Sequence, residues 1–352
     1  MSENQIGKFE LDLIERLVYP RLGAKRSEVI VGPGHGRDNA IARLGCNKVL
    51  IATSDPLSVI PELGFKDSAR ISVQLLASDL ATCGFPPQFM IVNLSLPPRM
   101  KDEEFEEYWA SIHLECKRLG TAIIGGHTGR YVGSDYTVVG GGVMMSIVPE
   151  EQFISSTMSK PGDLLVMTKG VAIATTGILA RVFPKTIDQA FGTPFLKKAQ
   201  SYLNRFSVVK DALVASSVGL RERGVNAMHD VTEGGLFGAL YEFSEASHVG
   251  LEIELDDVIV TEESKRICDL FDLSPYSTLS EGTLLISARP KKAEDVLDAL
   301  RGEGIESKVI GTIKHFSDGR WIEKGGMKKR LEKPSTDPYW SAYWKAMKRG
   351  WK

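Results

Sequence analysis

The hydrophobic pattern changes its period several times along the first 150 residues. Apolar side chains three or four positions apart predict helices, and short apolar runs that end at glycine, proline or a charged residue predict strands. The predicted elements are, in order, a helix over 9–18, a strand over 49–53, a helix over 67–83, a strand over 89–96, a helix over 102–119 and strands over 121–126 and 136–148. This mixture predicts a first domain of α+β or α/β type.

A polar stretch over 149–163, which contains the turn pair Pro161-Gly162, predicts a junction between two domains. After it, the pattern predicts a strand over 164–170, a helix over 194–220, a strand over 225–230, a helix after Gly235, strands over 250–255 and 283–288, a helix over 291–302 and a strand over 307–313. We therefore expect an N-terminal helix within 1–27, domains over 28–150 and 160–316, and a basic, aromatic tail over 317–352.

Composition limits the class of protein. A chain of 352 residues is longer than a single hydrophobic core usually supports, and this length favours two domains. A net charge of −2 argues against a protein that coats nucleic acid. The four cysteines are widely spaced, as is typical of a reducing compartment. The first residues are too polar for a signal peptide, and no apolar run is long enough to span a bilayer. We expect a soluble cytoplasmic protein without nucleic-acid or membrane partners.

Candidate chemistry lies in five short clusters that combine acidic or imidazole side chains with small residues. They read GPGHGRDNA from Gly32, TSDP around Asp55, ASDLATCGFPP around Asp79, GGHTGR from Gly125 and HDVTEGGL from His229. Mg²⁺ prefers oxygen ligands, and phosphates bind backbone N–H groups that uncrowded residues expose. Brought together by the fold, these clusters could form a Mg-nucleotide site, whereas none of them alone establishes one.

The first three clusters also have ordinary structural interpretations. The segment Gly32–Asp38 lacks the third glycine of a dinucleotide-binding fingerprint, because Arg37 takes its place, and the chain has no G-K-[ST] sequence. Alone, it reads as a flexible surface loop. Asp55 could equally be a ligand-binding carboxylate at the end of a strand or an ordinary turn residue before Pro56. Asp79 lies near the C-terminal end of a helix, where the dipole disfavours an anion by about 0.3–1 kcal/mol. A bound cation would offset that cost; a solvated carboxylate is the alternative.

The last two clusters also have both a ligand-binding and a structural interpretation. GGHTGR follows a predicted buried strand, so its glycines suit close approach to a ligand, and a hairpin turn with an incidental His127 is the alternative. In HDVTEGGL, Asp230 could cap a helix, with Glu233 closing a capping box. That explanation leaves Gly234-Gly235 unexplained, because glycine in a first turn costs about 1 kcal/mol relative to alanine. Close approach of backbone or phosphate would account for the pair.

In this order, the clusters resemble the AIR synthase superfamily, which includes aminoimidazole ribonucleotide synthetase, thiamine-monophosphate kinase, selenophosphate synthetase and hydrogenase maturation factor E. ASDLATCGFPP is similar to the family's N-D-x-A-x-x-G-x-x-P motif, the most specific match. GRDNAIARLG resembles G-D-D-A-A-V, GGHT matches G-G-[EDH]-T, and HDVTEGGL resembles D-x-[ST]-x-G-G-L. TLSEGTLLIS and SKVIGTI resemble the A-x-E-G stretch and terminal strand of maturation factor E. The resemblance covers residues 28–315.

The resemblance implies a two-domain α+β fold of the PurM-like type. Its N-terminal β-sheet domain, flanked by helices, pairs with a second copy into a homodimer, and its C-terminal domain is an α/β sandwich. ATP would occupy a cleft lined by both domains, with Mg²⁺, and would be cleaved to ADP. The implied metal ligands are Asp38, Asp55, Asp79 and Asp230; the implied catalytic residues are Asp55, Asp79 and His127; the implied nucleotide contacts are Gly34, Gly36, Arg37, Gly125, Gly126, Thr128, Asp230, Thr232, Gly234 and Gly235.

Three departures from the family pattern leave the reaction open. Arg37-Asp38 replaces an Asp-Asp pair, and His127 stands where thiamine-monophosphate kinase has an acid. The terminal cysteine of maturation factor E is absent, because the last cysteine here is Cys268. We therefore expect an ATP-dependent enzyme with a small-molecule or protein acceptor, rather than a thiocarbamate dehydratase. A nucleotide-binding scaffold without turnover and a small-molecule kinase are the alternatives.

The tail predicts one more helix. Asp337-Pro338 is a favourable helix start, with a cap followed by proline. Aromatic and apolar residues then fall three or four apart on one predicted face, with Tyr343 alongside: Trp340, Trp344, Met347 and Trp351. We expect this face to pack on the protein's own domain in preference to a partner.

Overall fold

The computed structural model describes residues 11–333 and 336–352. Its helices are α1 Leu11–Leu17, α2 Gly64–Ala81, α3 Asp102–Leu119, α4 Ile173–Val182, α5 Pro184–Phe191, α6 Thr193–Gln200, α7 Val209–Ser217, α8 Gly235–Ser247, α9 Glu262–Phe271, α10 Ala293–Gly302 and α11 Tyr339–Lys348. Its strands are β1 Val29–Val31, β2 Ala40–Gly45, β3 Lys48–Leu57, β4 Phe89–Leu96, β5 Ala122–Arg130, β6 Gly140–Pro149, β7 Leu164–Thr168, β8 Val225–Val231, β9 Val249–Glu254, β10 Thr283–Ala288, β11 Ser307–His315, β12 Arg320–Lys324 and β13 Met327–Arg330.

The first sheet is covered by helices on one face and open on the other. Its strand order is β1-β2-β3-β6-β4-β5, with neighbours antiparallel except the parallel pair β4–β5. Alternate residues of β4 point to the covered face, where buried side chains of α2 and α3 such as Leu76 and Tyr108 complete a core. On the open face, Ile91 and Ile147 are 39% and 38% exposed.

The second sheet lies between helices. Its order is β13-β12-β9-β11-β7-β10-β8, and β12–β9 is its parallel pair. The helices α7 and α10 pack on one face and α8 packs on the other. The chain therefore has two α+β domains, as predicted, and the second is an α/β sandwich.

The two sheets share one apolar core. Buried residues of α2 in the first domain and of α7 in the second belong to the same cluster. At the junction, the N–H of Val208 donates to the Ser78 hydroxyl at 3.0 Å. The end of α2 is thus held against the second domain, which brings the acidic residue near that end to the boundary between the domains.

Several predicted elements differ in extent. The strand predicted over 49–53 continues to Leu57, because its last residues pair with the glycines of β6. The helix predicted over 194–220 is broken into α6, a 3₁₀ turn and α7. Its break coincides with buried Lys169, whose Nζ donates to the carbonyl oxygens of Arg205 and Ser207 at 3.4 and 2.6 Å and withdraws them from a helical ladder. Helix α1 begins at Leu11; positions 9 and 10 of its prediction lie outside the described residues.

Other elements have no counterpart in the predicted list. These are α4, α5, α9, β1, β2, β12 and β13. All four residues of β13 are exposed, so the strand shows no apolar alternation, and it exists through pairing with β12. The second sheet consequently continues to Arg330, beyond the expected domain end at 316.

The tail packs on the protein's own second domain, as predicted, but through another face. The Asp337 carboxylate accepts a hydrogen bond from the Tyr339 N–H at 2.8 Å, which starts α11. Tyr339 and Ala346 are buried in a cluster that also includes α4, α5, α6 and α9. Trp344 and Met347 are 46% and 40% exposed, so the predicted face is wrong for these two, although Trp340 and Trp351 do contact the cluster. No helix in the described ranges combines the length and apolarity that crossing a membrane requires.

Candidate functional site at the domain boundary

Four aspartates from four separate segments meet where the two domains touch. Asp38 follows the glycine-rich loop, Asp55 lies in β3, Asp79 is near the end of α2 and Asp230 is in β8. The carboxyl groups of Asp55 and Asp230 both lie within hydrogen-bonding reach of the Asp79 carboxyl. The Thr53 hydroxyl donates to Asp79 Oδ2 at 3.2 Å. We refer to Asp38, Asp55, Asp79 and Asp230 as the aspartate cluster.

The aspartate cluster disfavours its own negative charge. Desolvation, and then the charges of Asp230, Asp55 and Asp38, raise the pKa of Asp79 well above its ordinary value. Desolvation and the charge of Asp38 also raise the pKa of Asp230, although nearby His229 opposes the shift. Like charges this close cannot all ionise unless a cation joins them. The arrangement is therefore suited to a bound cation.

His229, for which the sequence predicts no role, lies beside the cluster. Its Nδ1 lies 2.6 Å from Asp38 Oδ1, and its Nε2 lies 3.2 Å from Glu242 Oε2. Burial by itself would lower the pKa of His229, but the two carboxylates outweigh it and raise that pKa to about 10. His229 precedes Asp230 directly in HDVTEGGL, and that adjacency was the only signal in the sequence.

The glycine-rich loop rests against α8. A Cβ at Gly36, whose φ is +67°, would collide with the Glu242 carbonyl oxygen. At Gly34 a Cβ would meet the Arg37 side chain 2.6 Å away, and Arg37 in turn donates to the Gly32 carbonyl at 3.1 Å. Glycine at position 36 is thus required for contact between the domains, independently of any nucleotide. Asp38 and Arg37 also line a cavity of about 320 Å³ over β3 and β6.

The start of α8 differs from the capping-box alternative. Asp230 lies inside β8 and does not cap the helix; Gly234 stands at the cap position. A Cβ at Gly235 would meet the Thr278 carbonyl oxygen at 2.6 Å, so close backbone approach explains that glycine. The Thr232 carbonyl accepts the N–H groups of Gly235 and Ser280, at 3.1 and 3.3 Å.

A carboxylate from the tail occupies this helix start. Asp337 Oδ2 accepts the Gly234 N–H at 2.7 Å, and the Trp340 indole N–H donates to Glu233 at 3.2 Å. The tail thereby supplies an anion at a position where a helix N-terminus favours one. The sequence predicts a nucleotide contact for Gly234, whereas in this structure its N–H donates to the Asp337 carboxylate of the tail.

GGHTGR does not join the aspartate cluster within one chain. It forms the exposed edge strand β5, three strand spacings or about 14 Å from β3. His127 pairs in register with Asn93 on the open face, and its Nε2 lies 2.5 Å from the Tyr131 hydroxyl. A Cβ at Gly126 would collide with the Val92 carbonyl oxygen, so strand pairing requires that glycine. Gly125, His127 and Thr128 are exposed and lie apart from the aspartate cluster of the same chain, so the catalytic role of His127 and the nucleotide contacts of Gly125, Gly126 and Thr128 stay predictions.

Family models match both halves of the chain. The N-terminal domain of AIR synthase related proteins matches residues 36–146, and the C-terminal domain matches residues 160–320. A Methanocaldococcus jannaschii protein named for hydrogenase expression and formation is 25% identical over 336 residues, which cover 94% of this chain and 96% of that protein. The selenide, water dikinase of Caldanaerobacter subterraneus is 26% identical over 316 residues, covering 81% and 86%.

Solved structures share the fold along most of the chain. HypE in a complex with HypF superposes with a TM-score of 0.73 at 20% identity, covering 92% of this chain and 99% of that one. ThiL complexed with AMPPCP and TMP gives 0.69 at 16% identity, covering 93% and 98%. HypE in complex with ATP gives 0.67 at 19% identity, covering 85% and 89%.

Proposed function

Because the chain belongs to the AIR synthase-related family, we propose that it binds ATP with Mg²⁺ at the aspartate cluster and cleaves it to ADP. The observation that carries the proposal is the meeting of Asp38, Asp55 and Asp79 of the first domain with Asp230 of the second. Structures of the same fold that are described as complexes with ATP and AMPPCP support the choice of nucleotide. The phosphoryl group would activate or phosphorylate an acceptor, either a small molecule or a protein.

The residues of the cluster fit Mg²⁺. All four offer carboxylate oxygens, which are the ligands this ion prefers. Asp38 Oδ2 is buried and has no hydrogen-bond partner among the described residues, although a buried carboxylate oxygen normally has one. When bound, Mg²⁺ would neutralise charge on the cluster and on the phosphates of the nucleotide. Asp38, Asp55, Asp79 and Asp230 are the side chains that would hold it.

The cavity beside the cluster is a suitable place for the nucleotide. Its wall includes Arg37, a permanent cation that can pair with phosphate, and the backbone of the loop around Gly32. Ala52, Ser54 and Val143 form its floor on the open face of the first sheet. The site thus offers acidic groups for metal on one side and a basic group on the other.

Substitution of the cluster tests the site. Asp55→Ala and Asp79→Ala should each abolish binding of Mg-ATP in a calorimetric titration while circular dichroism stays unchanged. Glu106→Ala, on the exposed surface of α3, is the matched control and should bind as the unmodified protein does. Wild-type affinity in both cluster variants would exclude the assignment. Release of ADP with candidate acceptors, compared with ATP binding alone, separates an enzyme from a nucleotide-binding scaffold.

We also propose that the first domains pair through their open faces into a homodimer. Ile91 and Ile147 lie on that face, and β5 is an edge strand with one hydrogen-bonding side unpaired within the described chain. Exposed strands with apolar residues are usually covered, and a second copy provides a symmetric cover. Light scattering at micromolar concentration should give twice the chain mass; a monomer would contradict the proposal.

The acceptor is not expected to be one of the buried thiols. Burial raises the pKa of Cys83 and of Cys268 to about 12, and burial raises that of Cys116 to about 11. A thiol that stays protonated at neutral pH is a poor nucleophile. Chemistry on an internal thiocarbamate is therefore not part of the proposed reaction.

A further inference from the structure

His229 is surrounded by acids from both domains. Asp38 belongs to the loop before β2, whereas His229 is on β8 and Glu242 on α8. The imidazole lies between the two carboxylates, 2.6 Å from one and 3.2 Å from the other, and stacks on the Phe243 ring at an interplanar angle of 11°. The side chains of His229 and Asp38 are each only 5% exposed. A buried contact of this kind holds its members in a single geometry.

Both ring nitrogens of His229 face a carboxylate oxygen, Nδ1 that of Asp38 and Nε2 that of Glu242. The ring also lies close enough to Asp38 and Asp230 to form a three-ligand group with them. Because each nitrogen already has a carboxylate partner, the oxygens of Asp38 and Asp230 are the atoms of this group that remain for a cation.

The same contacts join the domains. The loop that precedes Asp38 touches α8 at Gly36, where only glycine fits against the Glu242 carbonyl. His35 in that loop also lies 6.1 Å from the Tyr241 ring on α8. The loop therefore contacts the second domain before Arg37, through His35 and Gly36, and after it, through the contact of Asp38 with His229.

The two carboxylate oxygens of Asp38 have different surroundings. Oδ1 faces His229, and Oδ2 is the buried oxygen that lacks a hydrogen-bond partner in the described part of the chain. Because the carboxylate is planar, a bond to Oδ1 restricts the direction in which Oδ2 points. The position of Oδ2 relative to Asp230 therefore depends on His229, and through His229 on Glu242.

We propose that His229 is a positioning residue that clamps Asp38 to Glu242 across the domain boundary and directs Asp38 Oδ2 toward a divalent cation. The inference rests on the proposed function, because it assumes that the aspartate cluster binds the metal. It adds a role for two residues, His229 and Glu242, that would not touch the metal themselves. Loss of an outer partner of a metal ligand typically lowers metal affinity about 10–100-fold.

Binding of Mn²⁺ alone, followed by the electron paramagnetic resonance signal of the free ion, tests the inference without turnover. His229→Gln should raise the Kd for Mn²⁺ about 10–100-fold. In an Asp38→Asn background, the same change should alter Kd less than about 3-fold, because the two residues act through one contact. His113→Gln, an exposed histidine on α3, is the matched control and should leave Kd unchanged.

The outcomes separate the two proposals. Wild-type protein that binds no Mn²⁺ would exclude both the proposed function and the clamp. Binding by wild type together with an unchanged Kd in folded His229→Gln would exclude the clamp alone, as would full additivity with Asp38→Asn. A nitrogen coupling from imidazole in the electron spin-echo spectrum of bound Mn²⁺ would show a direct ligand and also exclude it. If His229→Gln fails to fold, Glu242→Gln decides: a raised Kd supports the clamp and an unchanged one contradicts it.

Discussion

Neutralising Asp79 should stabilise the metal-free protein, although it would destroy the proposed site. The Asp79 carboxyl lies against Asp55 and Asp230 with no cation among the described side chains that contact it. In Asp79→Asn, the amide oxygen can still accept the Thr53 hydroxyl, now 3.2 Å from Oδ2, and the amide N–H groups can donate to the neighbouring carboxylates. The substitution therefore keeps the shape and replaces repulsion with hydrogen bonds.

The size of the effect follows from the spacing of the charges. Two unit charges about 4 Å apart repel by about 4 kcal/mol at an effective dielectric constant of about 20. Partial protonation of the raised-pKa carboxyls relieves part of this repulsion in the unmodified protein. We therefore expect a gain in unfolding free energy of about 1–3 kcal/mol at pH 8. At roughly 2–4 °C per kcal/mol, this corresponds to a rise of roughly 2–12 °C in Tm.

The gain in unfolding free energy from Asp79→Asn should increase with pH. The pKa of Asp79 in the folded protein is above its unfolded value, so its ionised form costs stability at pH values above the folded pKa. As pH falls through that pKa toward the unfolded value of about 3.9, the wild-type carboxyl takes up a proton and the cost disappears. The difference between Asp79→Asn and wild type should thus grow as pH rises and shrink as pH falls toward the unfolded pKa.

The assay is thermal unfolding in EDTA and in Mg²⁺. In EDTA, Asp79→Asn should unfold at a higher temperature than wild type; with Mg²⁺ at about 100 times Kd, wild type should gain about 2.7 kcal/mol and the variant little. In Mg²⁺ the two proteins would then unfold at similar temperatures, or wild type would unfold at the higher temperature. Glu106→Gln controls for removal of an exposed charge and should shift Tm negligibly. A metal-free Asp79→Asn that is less stable than wild type at pH 8 would refute the reasoning.

Three further predictions concern other parts of the structure. Gly36→Ala should destabilise the protein by about 1–3 kcal/mol in urea unfolding, because a Cβ collides with the Glu242 carbonyl and φ is +67°; unchanged stability would contradict the contact. Tyr339→Ala should cost about 3–5 kcal/mol, by analogy with other large buried aromatic side chains, and should expose α11 to hydrogen exchange; Trp344→Ala, on the exposed side, should cost under about 1 kcal/mol. Incubation with ATP and a carbamoyl-transfer system should leave the buried Cys268 without an adduct in mass spectrometry, since its pKa is about 12.

The sequence determined those elements whose pattern is local. Helix α3 over Asp102–Leu119 and strands β4 and β10 have the predicted bounds, because their apolar period and their flanking glycine or proline depend on near neighbours alone. The acidic motifs were also identifiable, since their residue types and order resemble one family. The convergence of the aspartate cluster was expected only through that resemblance, because no property of a single motif specifies the distance to another.

Tertiary structure decided the features that depend on charges and contacts far apart in the chain. His229 and Asp38 are 191 positions apart, so nothing near either residue indicates the 2.6 Å contact between them. The break in the helix predicted over 194–220 depends on Lys169, and β12 depends on its pairing with β9. In each case, a partner distant in sequence satisfies a buried charge or a backbone group. Local propensity is worth a few tenths of a kcal/mol per residue, whereas an unsatisfied buried polar group costs about 1–3 kcal/mol. The distant partner therefore prevails over the local pattern.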